Sequence, residues 1–193
     1  MIPEYFAVIG AGIGSIGGIY YLYETITAKA KPNRVTWLLW GLFPMIIFFA
    51  QRAQGVAGLS WVTFAAGFTP FLILLASFIN KEAYWRTEAK DYYLMAGALL
   101  AMLLWFLTDR PNTAIFLLIF ADLLAGLPTF IKAYHQPETE SWIAYAISAI
   151  GFGVGILAIP AYTFENYAFI CYVFALNGTL ALLASRKQPQ VVQ

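Results

Sequence analysis

Seven apolar runs of 16 to 22 residues, parted by short polar stretches, take up nearly all of this 193-residue chain. They fall at Tyr5–Tyr23, Val35–Ala50, Leu59–Ile79, Asp91–Leu107, Thr113–Tyr134, Trp142–Ile159 and Tyr167–Ala184. A hydrocarbon core takes about 20 apolar residues per helix, so each run is close to the length of a membrane span. Almost nothing remains for a soluble domain. Composition agrees, with 61% apolar and only 11% charged residues, where soluble chains carry roughly 25% charged. A mean hydropathy of +0.72 makes the bilayer the expected solvent and partner. The net charge of +1 gives no reason to expect nucleic acid.

The first run has no basic residue ahead of it, only Glu4, and no small-x-small cleavage site. It is expected to stay as helix one rather than leave as a signal peptide. Lys29, Lys31, Arg34, Lys81, Arg86, Lys90, Lys132, Arg186 and Lys187 fall on one side of the expected topology, against Arg52 and Arg110 on the other. By the positive-inside rule this puts the N-terminus outside and the C-terminus in the cytoplasm of a multi-pass cell-membrane protein. Cys171 is the only cysteine, so no internal disulfide can form, and in an apolar run it reads as a packing residue.

A pattern then occurs twice, 105 residues apart. Pro32-Asn33-Arg34-Val35-Thr36-Trp37 is echoed by Pro137-Glu138-Thr139-Glu140-Ser141-Trp142, sharing Pro, three variable residues, a hydroxyl residue and Trp. Leu74-Leu75-Ala76-Ser77 and Leu182-Leu183-Ala184-Ser185 end the third and seventh runs alike. Three helices per repeat is an odd number, so a linking helix is needed for the second copy to enter from the same side. The expected fold is all-α: seven transmembrane helices as two parallel three-helix repeats, 1–80 and 113–185. A linker with helix four joins them at 81–112, and 186–193 forms a cytoplasmic tail. Repeats of this kind place a substrate site at their interface.

The stretch Leu127-Pro128-Thr129-Phe130-Ile131-Lys132, with Pro137 and Ser141-Trp142 after it, resembles a PQ-loop repeat. Tyr23-Glu24, Lys29, Lys31, Thr36 and Trp37 hold the same places in the first copy. Pro-Thr and Tyr-Glu stand where the motif has Pro-Gln. The resemblance is to the PQ-loop, SWEET-like (MtN3) transporter superfamily in its 3+1+3 form. It implies alternating access between two three-helix bundles and a small polar solute, sugar- or nucleoside-like, as substrate. It also implies that Asn177 grips the solute, with Thr69 as its counterpart in helix three. Prolines inside helices, Pro44 and Pro128 above all and Pro70 with them, would be hinges, while Pro160 would simply end helix six.

Asp122 is the sharpest candidate on its own chemistry. It lies about nine residues into the fifth run, near mid-bilayer at ~1.5 Å per residue, where a carboxylate costs about 2.5–3.5 kcal/mol on insertion scales. Such a group reads as a proton acceptor or a hydrogen-bond partner for solute, and Asp122→Asn should abolish any pH dependence of transport. Its counterpart in the first repeat is Gly17, so the site is asymmetric. Trp37, Trp40, Trp142 and Tyr145 suit interfacial anchoring, and the Trp37–Trp142 pair could also form an inner gate with Glu24. Glu138, Glu140, His135, Lys132 and Arg34 read most simply as solvated loop charges. Gly10, Gly14 and Gly18, with Gly151 and Gly155, suit close helix packing within the chain or in a homo-oligomer.

Val8-Ile9-Gly10-Ala11-Gly12-Ile13-Gly14 imitates a dinucleotide fingerprint, but no strand–helix alternation follows it. No paired acids, His cluster or Ser–Lys arrangement lies within the apolar runs, so neither an enzyme nor a metal site or cofactor is expected. Helix seven has no lysine for a retinal Schiff base. The remaining alternative to a transporter is a non-transporting heptahelical receptor or membrane assembly factor.

Overall fold

The computed structural model describes residues 5–53, 60–83, 85–157, 159 and 163–186. Among them the chain forms seven α-helices and no strand. The helices are α1 (Tyr5–Ile26), α2 (Arg34–Ala53), α3 (Ser60–Ile79), α4 (Ala89–Phe106), α5 (Pro111–His135), α6 (Trp142–Leu157) and α7 (Phe164–Ala184). A 3-10 turn at Pro137–Thr139 precedes α6. Two segments, 112–135 of α5 and Tyr167–Ala184 of α7, are long and apolar enough to cross a membrane by length and composition.

The helix ends explain the boundaries. Asn33 caps α2: its Oδ1 accepts from the Val35 and Thr36 amides at 3.0 and 3.3 Å, satisfying donors that a helix start leaves orphaned. The Asn33 Nδ2 donates to Asp91 Oδ2 at 3.1 Å, and Asp91 accepts from the Glu88 amide at 3.0 Å, so one side chain ties the start of α2 to the start of α4. Lys90, hydrogen-bonded to Glu88 at 2.9 Å, holds that surface carboxyl below its usual range. α1 ends without a glycine. Ala28 takes the left-handed conformation at φ 58°, and the Lys29 and Ala30 amides close back on Glu24 O, the wrapping pattern of a helix C-terminus.

The packing follows one scheme in each half. α3 packs on both α1 and α2, and α7 packs on both α5 and α6. Between the halves α1 packs on α6 and α2 on α5, while α4 lies against α5 and α2. The basic stretches gather at one end: Asn80 Nδ2 donates to Ile26 O, Arg34 to Ser77 O, and Arg186 to Tyr134 O. That end is called the basic end below.

The α1–α6 contact is made backbone to backbone. A Cβ on Gly10 would stand 2.5 Å from Gly151 O, and one on Gly17 2.6 Å from Ala144 O. A Cβ on Gly151 would meet Gly10 O and Gly14 N, both at 2.5 Å. The glycine faces singled out in the sequence therefore face each other within the chain. Gly18 instead meets the Thr69 methyl of α3, while a Cβ at Gly14 would meet nothing within 4 Å. Gly17→Ala and Gly151→Ala should each cost about 1–3 kcal/mol by overpacking. Gly14→Ala should be neutral or stabilising by up to ~1 kcal/mol from helix propensity. Thermal melts of the three purified variants check this, and equal losses at all three positions would contradict the backbone seam.

Candidate functional site

Asp122 sits half-buried on α5, and the Tyr172 hydroxyl of α7 donates to its Oδ2 at 2.9 Å. The Trp40 indole of α2 lies beside the same carboxyl, and its ring packs where Gly126 leaves room one turn further along α5: a Cβ there would stand 3.1 Å from Trp40 Cζ2. Three helices thus meet at this acid. The sequence marked Asp122 and Trp40 but not Tyr172. One tyrosine in an apolar run gives no signal of its own until α7 is known to cross α5.

The other expected site residues are not all brought there. Asn177 is buried, and its Nδ2 donates to Val173 O of its own helix at 2.9 Å. The Thr69 methyl packs on α1 at Gly18. Trp37 is buried with its ring centroid 4.4 Å from Tyr21 and 5.4 Å from Trp40. Trp142 is 50% exposed on the outside of the bundle, so the two tryptophans do not form a symmetric inner gate. The cause is the helix start. α2 begins at Arg34, placing Trp37 one turn inside it, whereas α6 begins at Trp142 itself. Pro44, Pro70 and Pro128 lie inside α2, α3 and α5. Pro160 lies outside the described residues.

The delayed start of α6 has a second effect. After the 3-10 turn Glu140 is extended, at φ −121° and ψ 151°, and Ser141 Oγ caps the helix through the Ala144 amide at 3.3 Å. The extended step lays the Glu140 side chain into the bundle. There Oε1 pairs with Lys132 Nζ at 2.6 Å, the two side chains being 0% and 1% exposed. Tyr21 and Tyr145 each donate a hydroxyl to Oε2, at 2.7 and 2.9 Å. Lys132 also donates to Lys31 O and stands 5.4 Å over the Trp85 ring. The Lys31 amide donates to Thr139 O at 2.9 Å, which stitches the α1–α2 loop to the α5–α6 loop.

Glu140 and Lys132 are therefore not solvated loop charges, as their loop setting led one to expect. Arg34 is not either: half-buried, it donates to Ser77 Oγ at 3.0 Å and lies 3.9 Å over the Phe78 ring. Glu138 and His135 are exposed. The acid paired with a base under the bundle is Glu140, not Glu24. The repeat held the signal for this, because the 105-residue offset sets Glu140 on Val35, which is a buried core residue of the first copy.

Between Asp122 and this ion pair lies a set of buried polar atoms without hydrogen-bond partners: Thr36 Oγ1, Trp37 Nε1, Trp40 Nε1 and Thr129 Oγ1. At the other end of the molecule an open groove of about 320 Å³ is lined by Asn112, Thr113, Phe116 and Phe164. Among the described residues no group of three His, Cys, Asp or Glu side chains could hold a metal ion. Comparison of the chain with protein-family models, with curated proteins and with solved structures gives no match.

Proposed function

We propose that the chain is a seven-span membrane carrier in which two three-helix bundles, α1–α3 and α5–α7 with α4 as linker, rock to move a small neutral polar solute. The observation that carries this reading is the repeated helix pairing. Exchanging α1 with α5, α2 with α6 and α3 with α7 turns the contacts of one half into those of the other, and turns the α1–α6 contact into α5–α2. The 105-residue offset carries Tyr21 onto Gly126 and Trp40 onto Tyr145. Tyr21 meets Tyr145 at 5.7 Å between ring centroids, and Gly126 meets Trp40. Equivalent positions meet across both contacts, as parallel repeats about an axis along the membrane normal require.

Burial supports the membrane setting. Within an 18-residue apolar stretch of each long segment only 28% and 22% of the residues are buried, far less than the core helix of a soluble domain would need. Ile79, Phe106 and Leu182 are each more than 70% exposed. An exposed apolar surface of this extent suits lipid, not water. With all seven helices spanning, the basic end is cytoplasmic, the N-terminus is outside, and Lys132–Glu140 closes the inner side. The groove at Asn112 and Phe116 then opens outward, about 9 Å along α5 from Asp122 at ~1.5 Å per residue. The PQ-loop, SWEET-like resemblance points the same way.

A thermal-shift panel of sugars, nucleosides, amino acids and small vitamins on the purified protein tests the reading. A solute at a hundredfold excess over its Kd should stabilise the fold by about 2.7 kcal/mol. One class should shift the melt, and Asp122→Asn should weaken that shift and remove any pH dependence it has. A flat panel, with Asp122→Asn behaving as the parent, would turn the reading to a heptahelical receptor or assembly factor that moves no solute.

A further inference from the structure

Two seams join the halves of this molecule, and they differ in kind. Along α1–α6 the backbones touch at Gly10, Gly17 and Gly151, and Ser148 Oγ reaches Gly14 O at 3.4 Å. Over that stretch, backbone in contact with backbone leaves no side chain that could swing aside, and only nearer the basic end do Tyr21 and Tyr145 fill the gap between the two helices. Along α2–α5 the gap is filled by side chains: the Trp40 ring occupies the space opposite Gly126. Helical spacing of three or four residues keeps side chains on one face. Thr36 therefore lies one turn from Trp40 toward the basic end. Thr129 lies one turn from Gly126 in the same direction, because α2 and α5 run oppositely.

Both threonines are 0% exposed, and both hydroxyls lack a partner. The Trp40 N–H faces the Asp122 carboxyl without making a hydrogen bond of ordinary geometry. Buried polar atoms are otherwise almost always met by protein, water or ligand. Such atoms on two facing helices mark a place that is filled when the protein works. Its ends are already partnered, Asp122 by Tyr172 and Lys132 by Glu140, so the stretch between them offers hydrogen bonds and an indole face but no unpaired cation.

We infer that the solute site lies in the α2–α5 seam, formed by Thr36, Trp40, Asp122 and Thr129, while the α1–α6 seam stays shut throughout. The inference rests on the carrier reading and names where its solute binds: an uncharged molecule able to accept from hydroxyl and indole donors. The halves then move about the glycine seam as about a hinge line, and access is one-sided rather than along the pseudo-symmetry axis.

Reactivity of single cysteines toward N-ethylmaleimide, a small neutral probe, tests this in the full chain reconstituted in liposomes. In a Cys171→Ala background, Thr36→Cys and Thr129→Cys should react at least roughly tenfold faster than Ser148→Cys, since local opening is confined to one seam. All three should react alike once the protein is unfolded. Thr36→Val and Thr129→Val should keep the melting temperature and still weaken the solute-induced shift, which a merely structural hydroxyl would not do. Equal rates at all three positions in the folded protein would overturn the assignment. Fast α2–α5 labelling in a protein that moves no solute would sink the carrier reading alone. Solute flux with a silent α2–α5 seam would sink this inference alone.

Discussion

Oxidising Lys31→Cys with Thr139→Cys in a Cys171→Ala background should abolish solute flux, and a reducing agent should restore it. The two backbones are already joined by the Lys31 amide and Thr139 O at 2.9 Å. Neighbouring chains of this kind fall in the ~4.4–6.8 Å Cα window a disulfide needs. The bond would fasten the α1–α2 loop of one bundle to the α5–α6 loop of the other, across the end that Lys132 and Glu140 already close. If the bundles must part there in each cycle, a covalent tie stops transport outright without touching the proposed solute site between α2 and α5. Flux that persists with the disulfide demonstrably formed would mean that this end does not open.

The second large effect concerns stability. Lys132 and Glu140 are a buried pair, and removing one partner of such a pair typically costs about 3–5 kcal/mol, because the other charge stays behind uncompensated. Glu140→Gln leaves the Lys132 ammonium without a counter-charge, beside Lys31 O and the Trp85 ring face. Lys132→Met leaves a carboxylate held by two tyrosine hydroxyls. The double variant Lys132→Met with Glu140→Gln buries no charge and keeps an acceptor for both tyrosines. It should recover most of the loss. Denaturant or thermal unfolding of the three proteins in one detergent decides the point. Losses that simply add would show that the pair is not coupled.

The helices were legible because their signal is length and hydropathy. Each of the seven apolar runs matches the helix described there to within three residues at either end, as α5, expected at Thr113–Tyr134 and found at Pro111–His135, illustrates. The asymmetry between the copies was harder to see. Asn33 starts α2 at once, whereas Glu140 interrupts the second copy and delays α6 to Trp142. Composition reads a loop glutamate as solvated. Only its equivalence, by the 105-residue offset, to the buried Val35 argues otherwise, and only folding shows Lys132 and two tyrosines around it. Asp122 declared itself by the cost of a mid-helix carboxylate. Its partner Tyr172 comes from a helix fifty residues away, and no local pattern connects the two.

The most direct test of the carrier reading is an osmotic swelling assay on liposomes holding the purified chain, challenged in turn with neutral sugars, nucleosides and polyols. The account predicts that at least one solute class enters faster than into empty liposomes, and that the oxidised Lys31→Cys/Thr139→Cys lock removes the excess. Folded, inserted protein that passes none of these solutes faster than bare lipid would contradict it.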